Sequence, residues 1–381
     1  MHRILLTGAG GPASQNVLRS LRSAPESFYI VGADANRYHL EWGDLDRAYE
    51  APMTDSEDYL PFLLSLIERE GIEFVHGQPD WEVAWLAQNA QHLPARTLLP
   101  GAEAVAACQD KAVCADTWYD AGLRHDPLRM VRHHNDLNKA RQTLGLPFWL
   151  RATSGAGARG SCKVESLEQG YAWLDFWKAR GVNWQFMAQE YLPGPEFAFQ
   201  SVWYQGRLIT SAARERLEFV FPQHAPSGVT SSPVVARSVH NEQVNRIATQ
   251  AILAVDDEPN GIYCVDLKCD DRDLPRPTEI NAGRFFTTSY FFTAAGANMP
   301  YLYILLGLGR EPIRLPRYDA VPAGLYWIRH IDCGWALCAE GNWRAVPKEK
   351  VLKESVRMPA PEPEFVPIFK ESYQPAAVGM R

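Results

Sequence analysis

The sequence predicts an α/β N-terminal domain on a parallel sheet, followed by an α+β region. Two observations lead to this fold class. Residues 1–100 alternate apolar strand patterns with amphipathic helix patterns, which is typical of a parallel sheet with crossover helices. Beyond residue 101, several strand patterns follow one another through glycine or proline turns, which is typical of hairpins. The predicted divisions are residues 1–100, 101–310 (subdomains at about 125–187 and 188–310) and 311–381.

The N-terminal domain begins with a strand, a glycine turn, a helix and a second strand. These elements are predicted at residues 3–7, 8–14, 15–22 and 29–34. In this Rossmann-like arrangement, the spacing Gly8-x-x-Gly11-x-x-Ser14 followed by Asp34 indicates a dinucleotide site, because such an acid can hold a ribose hydroxyl. A tight turn that binds nothing explains the same residues equally well.

A further strand pattern, residues 72–77, ends in polar residues. His76 lies near its end and Asp80 follows it. Because open parallel sheets bind their ligands at the carboxyl ends of their strands, both residues are candidate substrate contacts. Capping of the following helix is the structural alternative.

The pattern changes near residue 101. One or two helices are predicted over residues 101–120, with Lys111 near a helix start. A cation there is unfavourable unless an anion compensates it, since a helix N-terminus already carries partial positive charge. Lys111 is therefore a candidate phosphate ligand, and a solvated lysine is the alternative.

A glycine-rich segment then separates two strand patterns. The first, residues 147–151, is apolar and ends in Arg151. Glycines allow backbone N–H groups to approach an anion closely, so a glycine loop between two arginines suits polyphosphate. A hairpin turn with solvated arginines is the alternative. The loop contains Ser154, Gly155, Gly157, Arg159 and Gly160.

A Pro-Gly-Pro break interrupts the strand patterns of residues 184–203. It leaves backbone donors and acceptors beside apolar side chains, which is the combination that an adenine ring requires. Glu196 directly follows the break and could accept hydrogen bonds from ribose hydroxyls. A plain turn between strands is the alternative.

Two neighbouring strand patterns carry candidate metal ligands. Residues 261–268 contain Asp266, and residues 277–281 contain Glu279 and Asn281. The connection between them can reverse the chain, so that the strands pair antiparallel and these side chains share one face. Oxygen ligands suit Mg²⁺ that bridges nucleotide phosphates. An exposed polar sheet face is the alternative.

Three arginines are the candidate catalytic residues. Arg284 follows Asn281 by three residues and can neutralise a transferring phosphoryl group or an acyl phosphate. Arg151 ends the strand before the glycine loop. Arg214 follows the strand pattern of residues 208–213.

Composition restricts the class of function. The chain is 46% hydrophobic and 22% charged with a net charge of −7, so nucleic acid is not an expected partner. An odd set of seven cysteines without a Cys-x-x-Cys pair favours reduced thiols in the cytoplasm. Polar residues and glycines interrupt the apolar stretch at residues 290–309, which favours a buried helix pair over a membrane span. The C-terminal extension has strand patterns at residues 323–331 and 335–343 and a proline-rich end at residues 358–367.

In their order along the chain, these segments resemble the ATP-grasp superfamily. The resemblance covers about residues 1–310 and is greatest to the branch of the carbamoyl phosphate synthetase large chain and biotin carboxylase. Arginine stands at position 151, where many members have lysine, and Asn281-Ala282-Gly283-Arg284 replaces the frequent Asn-Pro-Arg. The resemblance rests on the glycine hairpin at residues 151–163, Gln189-Glu190-Tyr191-Leu192-x-Gly194-x-Glu196, Asp266 and Glu279-Ile280-Asn281-x-x-Arg284.

The resemblance implies an ATP-dependent ligase of the carboxylate-amine type. A small-molecule carboxylate would become an acyl phosphate and react with an amine or another nucleophile, releasing ADP and phosphate. It also implies a homodimer, since dimers are common in this branch. The implied metal ligands, for Mg²⁺ or Mn²⁺, are Asp266, Glu279 and Asn281. The implied ATP contacts are Lys111, Arg151, Ser154, Gly155, Gly157, Gly160, Gln189, Glu190, Tyr191, Leu192, Glu196 and Lys268.

Two other functions remain open on the sequence. An NAD(P)-dependent oxidoreductase or epimerase would use the turn at Gly8, although no Tyr-x-x-x-Lys pair follows it. A nucleotide-binding module without catalysis would carry the same binding motifs. The expected substrate contacts lie at residues 218–232, His76, Asp80 and Arg329.

Overall fold

A computed structural model of the protein describes residues 1–124, 126–154, 160–224, 233–329 and 344–353. Within these ranges the strands form three sheets, one parallel and two antiparallel. The predicted fold class, an α/β unit followed by an α+β region, is confirmed. Because no observation tests the exact division into domains, that division stays a prediction.

The first sheet is parallel, with strand order β3-β2-β1-β4. Its strands are β1 (His2–Thr7), β2 (Phe28–Asp34), β3 (Arg47–Glu50) and β4 (Phe74–Gly77). The helices connected to it are α1 (Pro12–Arg22), α2 (Tyr59–Glu70) and α3 (Asp80–Asn89), with 3₁₀ turns at Arg37–Leu40 and Ala90–His92. The strands are mostly buried, as expected for a parallel sheet covered by helices.

The second sheet is antiparallel, with order β5-β8-β6-β7. Two helices precede it, α4 (Ala102–Gln109) and α5 (Lys111–Asp120), in the region where one or two helices were predicted. Its strands are β5 (Arg129–Val131), β6 (Phe148–Ala152), β7 (Cys162–Val164) and β8 (Phe186–Glu190). The helices α6 (His134–Leu144) and α7 (Leu167–Ala179) pack beside it.

The third sheet is antiparallel, with order β13-β12-β9-β10-β11-β14. Its strands are β9 (Glu196–Tyr204), β10 (Arg207–Phe219), β11 (Pro233–Val239), β12 (Gly261–Cys269), β13 (Pro275–Ala282) and β14 (Tyr326–Ile328). The remaining helices are α8 (Glu242–Val255), α9 (Tyr290–Ala294), α10 (Met299–Gly307) and α11 (Lys348–Lys353), with a 3₁₀ turn at Pro222–His224.

Local sequence signals set several helix ends. Asp110 caps α5, since its Oδ1 accepts a hydrogen bond from the N–H of Ala112 at 2.8 Å. Ser166 and Gln169 form a reciprocal capping box at the start of α7. Gly71 ends α2 at φ +59°, a left-handed conformation that glycine adopts without steric cost.

The helix pair predicted in the apolar stretch is present and lies against the N-terminal unit. Helices α9 and α10 pack on α1, and Asn298 Nδ2 donates to the carbonyl oxygen of Ser20 at 2.7 Å. On α10, Tyr303 packs edge-on against Phe74 of β4, with ring centroids 5.5 Å apart. One hydrophobic core therefore extends from the parallel sheet to the third sheet. No helix within the described ranges is long and apolar enough to cross a bilayer.

The C-terminal extension differs from its prediction. Of the strand expected at residues 323–331, β14 covers Tyr326–Ile328, where it pairs with β11, and residues 330–331 lie outside the described residues. The strand predicted at residues 335–343 and the proline-rich end at 358–367 lie outside the described residues. The helix α11 packs on α2 and was not predicted.

Truncating Phe74 should destabilise the protein strongly. Phe74 is fully buried, and a Cβ on Gly307 would lie 2.0 Å from its ring, so few atoms could move into the vacated space. We expect Phe74→Ala to lower the free energy of unfolding by about 3–5 kcal/mol and Phe74→Leu by less. Guanidinium unfolding measures both. The control is Trp81→Ala, an aromatic that is 60% exposed, which should change stability by less than about 0.5 kcal/mol. Equal losses at positions 74 and 81 would contradict this packing.

Candidate functional site

The third sheet places two carboxylates side by side. Asp266 on β12 is the direct cross-strand partner of Glu279 on β13. Asn281 pairs with Cys264, two residues further along, so its side chain lies on the same face. The antiparallel pairing predicted for these strands is therefore present, and it brings the three candidate metal ligands together.

Glu279 is held by two cations from distant parts of the chain. Its Oε1 lies 3.4 Å from Lys111 Nζ, and its Oε2 lies 2.9 Å from Arg151 Nη2. Arg151 Nη1 also donates to the carbonyl oxygen of Thr278 at 3.0 Å. Desolvation alone would raise the pKa of Glu279, but Lys111, Arg151 and Arg284 outweigh it and lower the pKa to about 2. The anion that compensates the helix-start lysine is thus this carboxylate.

Asp266 is in a different electrostatic environment. Desolvation by burial raises its pKa above the usual range, and the neighbouring charge of Glu279 adds to this, against the opposing effect of Arg216. Arg216, on β10, forms an ion pair with Asp266. The two carboxylates therefore repel each other and are stabilised by surrounding cations.

Arg284 connects the third sheet to the parallel sheet. It forms a two-point ion pair with Asp80, with Nη2 3.3 Å from Oδ2, and its other contact is Asn281 Oδ1. The turn that places it requires glycine at 283, which has φ +78° and no room for a Cβ beside Val83. Asp80, a predicted substrate contact, therefore lies at the same site as the candidate catalytic arginine.

Among the described residues around Asp266 and Glu279, cations outnumber carboxylates. An excess of positive charge in a partly buried site favours a polyanionic ligand. The carboxylates are Asp80, Asp266 and Glu279, and the cations are Lys111, Arg151, Arg214, Arg216 and Arg284.

Arg214 lies in the same row of the sheet but is not ion-paired within the described ranges. Ala198 on β9 is the cross-strand partner of both Asp266 and Arg214. Arg214 is 1% exposed, and its Nε and Nη1 have no hydrogen-bond partner among the described residues. Desolvation, with a further effect from Arg216, lowers its pKa to about 9.

The strands beside the Pro-Gly-Pro break carry the predicted adenine and ribose contacts. Glu190 at the end of β8 is paired with Arg124, whose Nη2 lies 3.3 Å from Oε1. Glu196 at the start of β9 forms an ion pair with Lys268 of β12, its cross-strand partner. Gln189 and Leu192 are buried, and the ring of Tyr191 lies 4.9 Å from Lys163 Nζ.

The glycine hairpin is described only in part. Ser154 is exposed, whereas Gly160 is buried against Ala152 and Trp184. Gly155, Gly157 and Arg159 lie outside the described residues, as do residues 225–232 of the predicted substrate loop.

The expectation that His76 contacts substrate is wrong. The imidazole is 1% exposed, and its Nε2 lies 2.9 Å from Gln78 Oε1 inside the core. Gln78 in turn donates to the carbonyl oxygen of Phe285 at 2.6 Å. His76 therefore supports the contact between β4 and the segment after β13. Arg329, another residue expected to contact substrate, donates to the carbonyl oxygens of Pro233 and Thr287.

The glycine turn after β1 is occupied by the chain itself. Asp34 accepts hydrogen bonds from the backbone N–H groups of Gly10 at 2.9 Å and Asn36 at 2.8 Å. A Cβ on Gly10 would lie 2.3 Å from His39, and one on Gly8 would lie 2.2 Å from Pro79. These contacts favour the interpretation in which the turn serves packing.

Two residues of the site were not predicted from the sequence. Arg216 pairs with Asp266, and Arg124 pairs with Glu190 and donates to the carbonyl oxygen of Pro277 at 2.9 Å. Strand alternation could have indicated Arg216, which shares the face of Arg214. The described ranges hold no group of three or more His, Cys, Asp or Glu side chains arranged for a metal, so the candidate metal site consists of two carboxylates and an amide.

Comparison with known proteins identifies the fold. No protein-family model and no curated protein matches this chain. Solved structures do match. L-amino acid ligase from Bacillus licheniformis is 14% identical to this chain with a TM-score of 0.62, and the alignment covers 82% of this chain and 75% of the ligase. Carboxyaminoimidazole ribonucleotide synthase from Aspergillus clavatus, complexed with ATP, is 15% identical with a TM-score of 0.63, covering 85% and 80%.

A third match is the biotin carboxylase domain dimer of the Hydrogenobacter thermophilus 2-oxoglutarate carboxylase, in complex with MgADP, ADP and bicarbonate. It is 16% identical with a TM-score of 0.63, covering 86% of this chain and 73% of its own. At this level of identity the likeness concerns the fold. The chain therefore has the ATP-grasp fold that the sequence resemblance implied.

The buried His76 should make the protein sensitive to acid. Burial lowers its pKa to about 4, so the unfolded chain binds a proton between about pH 6.5 and 4 while the folded protein does not. Stability therefore falls as pH falls through this window. Between pH 7 and 4.5, we expect the wild type to lose about 2 kcal/mol more than His76→Gln, measured by denaturant unfolding. The exposed His92→Gln variant is the control, and parallel profiles for all three proteins would contradict the assignment.

Proposed function

We propose that this protein is an ATP- and Mg²⁺-dependent ligase that activates a small-molecule carboxylate for attack by an amine or another nucleophile. The observation that supports this most is the Asp266–Glu279 pair at the centre of an excess of cations. Two adjacent carboxylates suit a divalent cation, and the surrounding arginines and lysine suit a polyphosphate.

The donor set fits a hard divalent cation. Asp266, Glu279 and Asn281 offer carboxylate and amide oxygens from two adjacent strands. Each of these side chains is engaged by a cationic side chain: Asp266 by Arg216, Glu279 by Lys111 and Arg151, and Asn281 by Arg284. These three side chains would hold Mg²⁺, which would supply neutralisation of phosphate charge, and the cations that engage them in the free protein would then be available to contact the phosphates.

The nucleotide would lie between the second and third sheets. Arg151 on β6 reaches Glu279 from the second sheet, Lys111 reaches it from α5, which packs against β13, and both are placed to contact phosphate. Glu196 would accept hydrogen bonds from the ribose, and the backbone of Glu190 and Leu192 would contact adenine. Structures of related fold hold ATP or MgADP, which supports this assignment.

The chemistry begins with attack of a carboxylate oxygen on the γ-phosphorus. That O–P bond forms while the bond from the γ-phosphorus to the bridging oxygen breaks, and ADP leaves. An amine then attacks the acyl carbon and loses a proton, and the C–O bond to phosphate breaks. Bound Mg²⁺ would neutralise charge on the phosphates, while Arg284 would neutralise the acyl phosphate. The protein contributes position and charge.

The names of the similar structures support the reaction class and leave the substrates open. They include an amino acid ligase and a carboxylase domain, so the carbamoyl phosphate synthetase-like subtype stays a prediction. One of them is a dimer, which supports the predicted homodimer as a proposal. The predicted cytoplasmic location also stays a prediction. The contacts inside the turn at Gly8 give the alternative oxidoreductase no support.

Replacing Glu279 with Gln should abolish turnover while the protein stays folded. The substitution removes a metal ligand charge and leaves Lys111 and Arg151 without their carboxylate. We expect ADP formation to fall by at least about 100-fold. In thermal unfolding, Mg-ATP at about 100 times its dissociation constant should add about 2.7 kcal/mol to the wild type and clearly less to the variant.

The control for this variant is Glu165→Gln, a surface carboxylate paired with Lys163. It should keep both ADP formation and stabilisation by nucleotide. Turnover that survives Glu279→Gln would reject the metal assignment. Stabilisation of the wild type by NAD(H) or NADP(H) alone, without any effect of Mg-ATP, would move the active site to the turn at Gly8.

Glu196 should make the enzyme prefer ATP over nucleotides that lack a ribose hydroxyl. A carboxylate that accepts from a ribose hydroxyl contributes a charged hydrogen bond of about 1.5–3 kcal/mol. We expect Glu196→Gln to raise KM for ATP by about 10-fold or more with little change in kcat. The wild type should use 2′-deoxy-ATP or 3′-deoxy-ATP less well than ATP, and the variant should lose that preference. If the variant still discriminates as the wild type does, the ribose contact lies elsewhere.

A further inference from the structure

Arg214 is a buried cation without an ion pair of its own within the described ranges; the nearby charge of Asp266, which is paired with Arg216, opposes the fall in the pKa of Arg214 only in part. Arg214 is 1% exposed, and Nε and Nη1 have neither solvent nor a hydrogen-bond partner there. Burying a charge without a partner is costly, so such a group is retained only where something else compensates it. Aromatic rings do part of this, because Cζ lies 4.8 Å from the ring centroid of Phe286 and 5.5 Å from that of Phe292.

Two cationic neighbours of Arg214 act against its charge, whereas Asp266 acts in its favour. Arg216 lies two residues along the same strand face, its Cζ is 5.7 Å from the Phe286 ring, and it is already paired with Asp266. Arg329 also acts on Arg214 as a like charge. A bound anion would compensate this excess of positive charge.

The position of Arg214 relative to the metal ligands is set by the sheet register. Glu279, Asp266, Ala198 and Arg214 follow one another across four adjacent strands on one face. Adjacent strands are about 4.8 Å apart, so the backbone of Arg214, two strands away, lies about 10 Å from that of Asp266. Ala198 between them is buried and has only a methyl group, so no longer side chain of this row stands between the metal ligands and the arginine.

We propose that Arg214 binds a second anionic group of the substrate, an inference that rests on the proposed ligase function. The substrate class is then a molecule with two anionic groups, either a dicarboxylate or a carboxylate that also carries a phosphate. The carboxylate that is phosphorylated lies near Asn281 and Arg284. The second anion lies two strands away, where Arg214 donates its free N–H groups to it and Phe286 and Phe292 hold the guanidinium in place.

The test uses thermal unfolding of the full-length protein with matched ligand pairs. Succinate is compared with butyrate, glutarate with valerate, and phosphoglycolate with glycolate, each with and without Mg-ADP. We expect a dianion of at least one pair to raise the Tm of the wild type by about 2 °C or more, and its monoanion to raise it much less. Which pair responds distinguishes a carboxylate from a phosphate.

Two variants assign the effect to this residue. Arg214→Met should keep or raise the Tm of the free protein, because it removes an unpaired buried charge, and it should abolish the difference between dianion and monoanion. Arg214→Lys keeps the charge and should therefore fold if the Met variant does not. It should show a smaller increase in Tm with the dianion than the wild type does. The control is Arg207→Met, at the exposed start of the same strand.

Several outcomes overturn the inference. One is an increase in Tm with the dianion that persists in Arg214→Met. Another is that Arg214→Met loses its response to the monoanion as much as its response to the dianion. A large fall in the Tm of both Arg214 variants without ligand would show a structural role instead. If Mg-ADP stabilises the wild type and no dianion does, this inference fails while the proposed function stands. If Mg-ADP does not stabilise it either, the proposed function fails as well.

Discussion

The candidate site depends on charge compensation around one carboxylate. Glu279 is partly buried beside Asp266, which repels it, and it stays ionised because Lys111 and Arg151 lie within ion-pair distance. Lys111 comes from α5, which packs against β13, and Arg151 comes from β6, so the Arg151 contact joins the second sheet to the third. The same electrostatic requirement that places these elements together also leaves a surplus of positive charge for a polyanion.

A second constraint is the packing of α9 and α10 on the N-terminal unit. Their hydrophobic core continues into the parallel sheet and includes Phe74 and Tyr303. This packing brings the carboxyl end of β4 to the segment after β13, where Asp80 pairs with Arg284 and Gln78 binds the backbone of Phe285. The N-terminal unit therefore forms one wall of the site even though its own glycine turn is filled by side chains of the chain.

Much of the fold and part of the site could be predicted from the sequence. The parallel unit, the helices beside Lys111, the buried helix pair and the antiparallel pairing of β12 with β13 all follow from local periodicity and turn residues. That pairing in turn places Asp266 beside Glu279 and Asn281 on the same face, because side chains alternate along strands. His76 was assigned wrongly, because its position at a strand end is the same whether the edge faces a ligand or the core.

By itself, the sequence determined the order of strands and helices, the resemblance to the ATP-grasp superfamily and the candidate metal ligands, since each depends on residues close together in the chain. Only the tertiary structure decided which charges meet. Asp80 and Arg284 are separated by 204 positions, and Arg216 and Asp266 by 50. Such contacts depend on strand order and on the packing between sheets. For the same reason, only the sheet register shows that Arg214 lies in the row of the metal ligands with no counterion of its own in the described part of the chain.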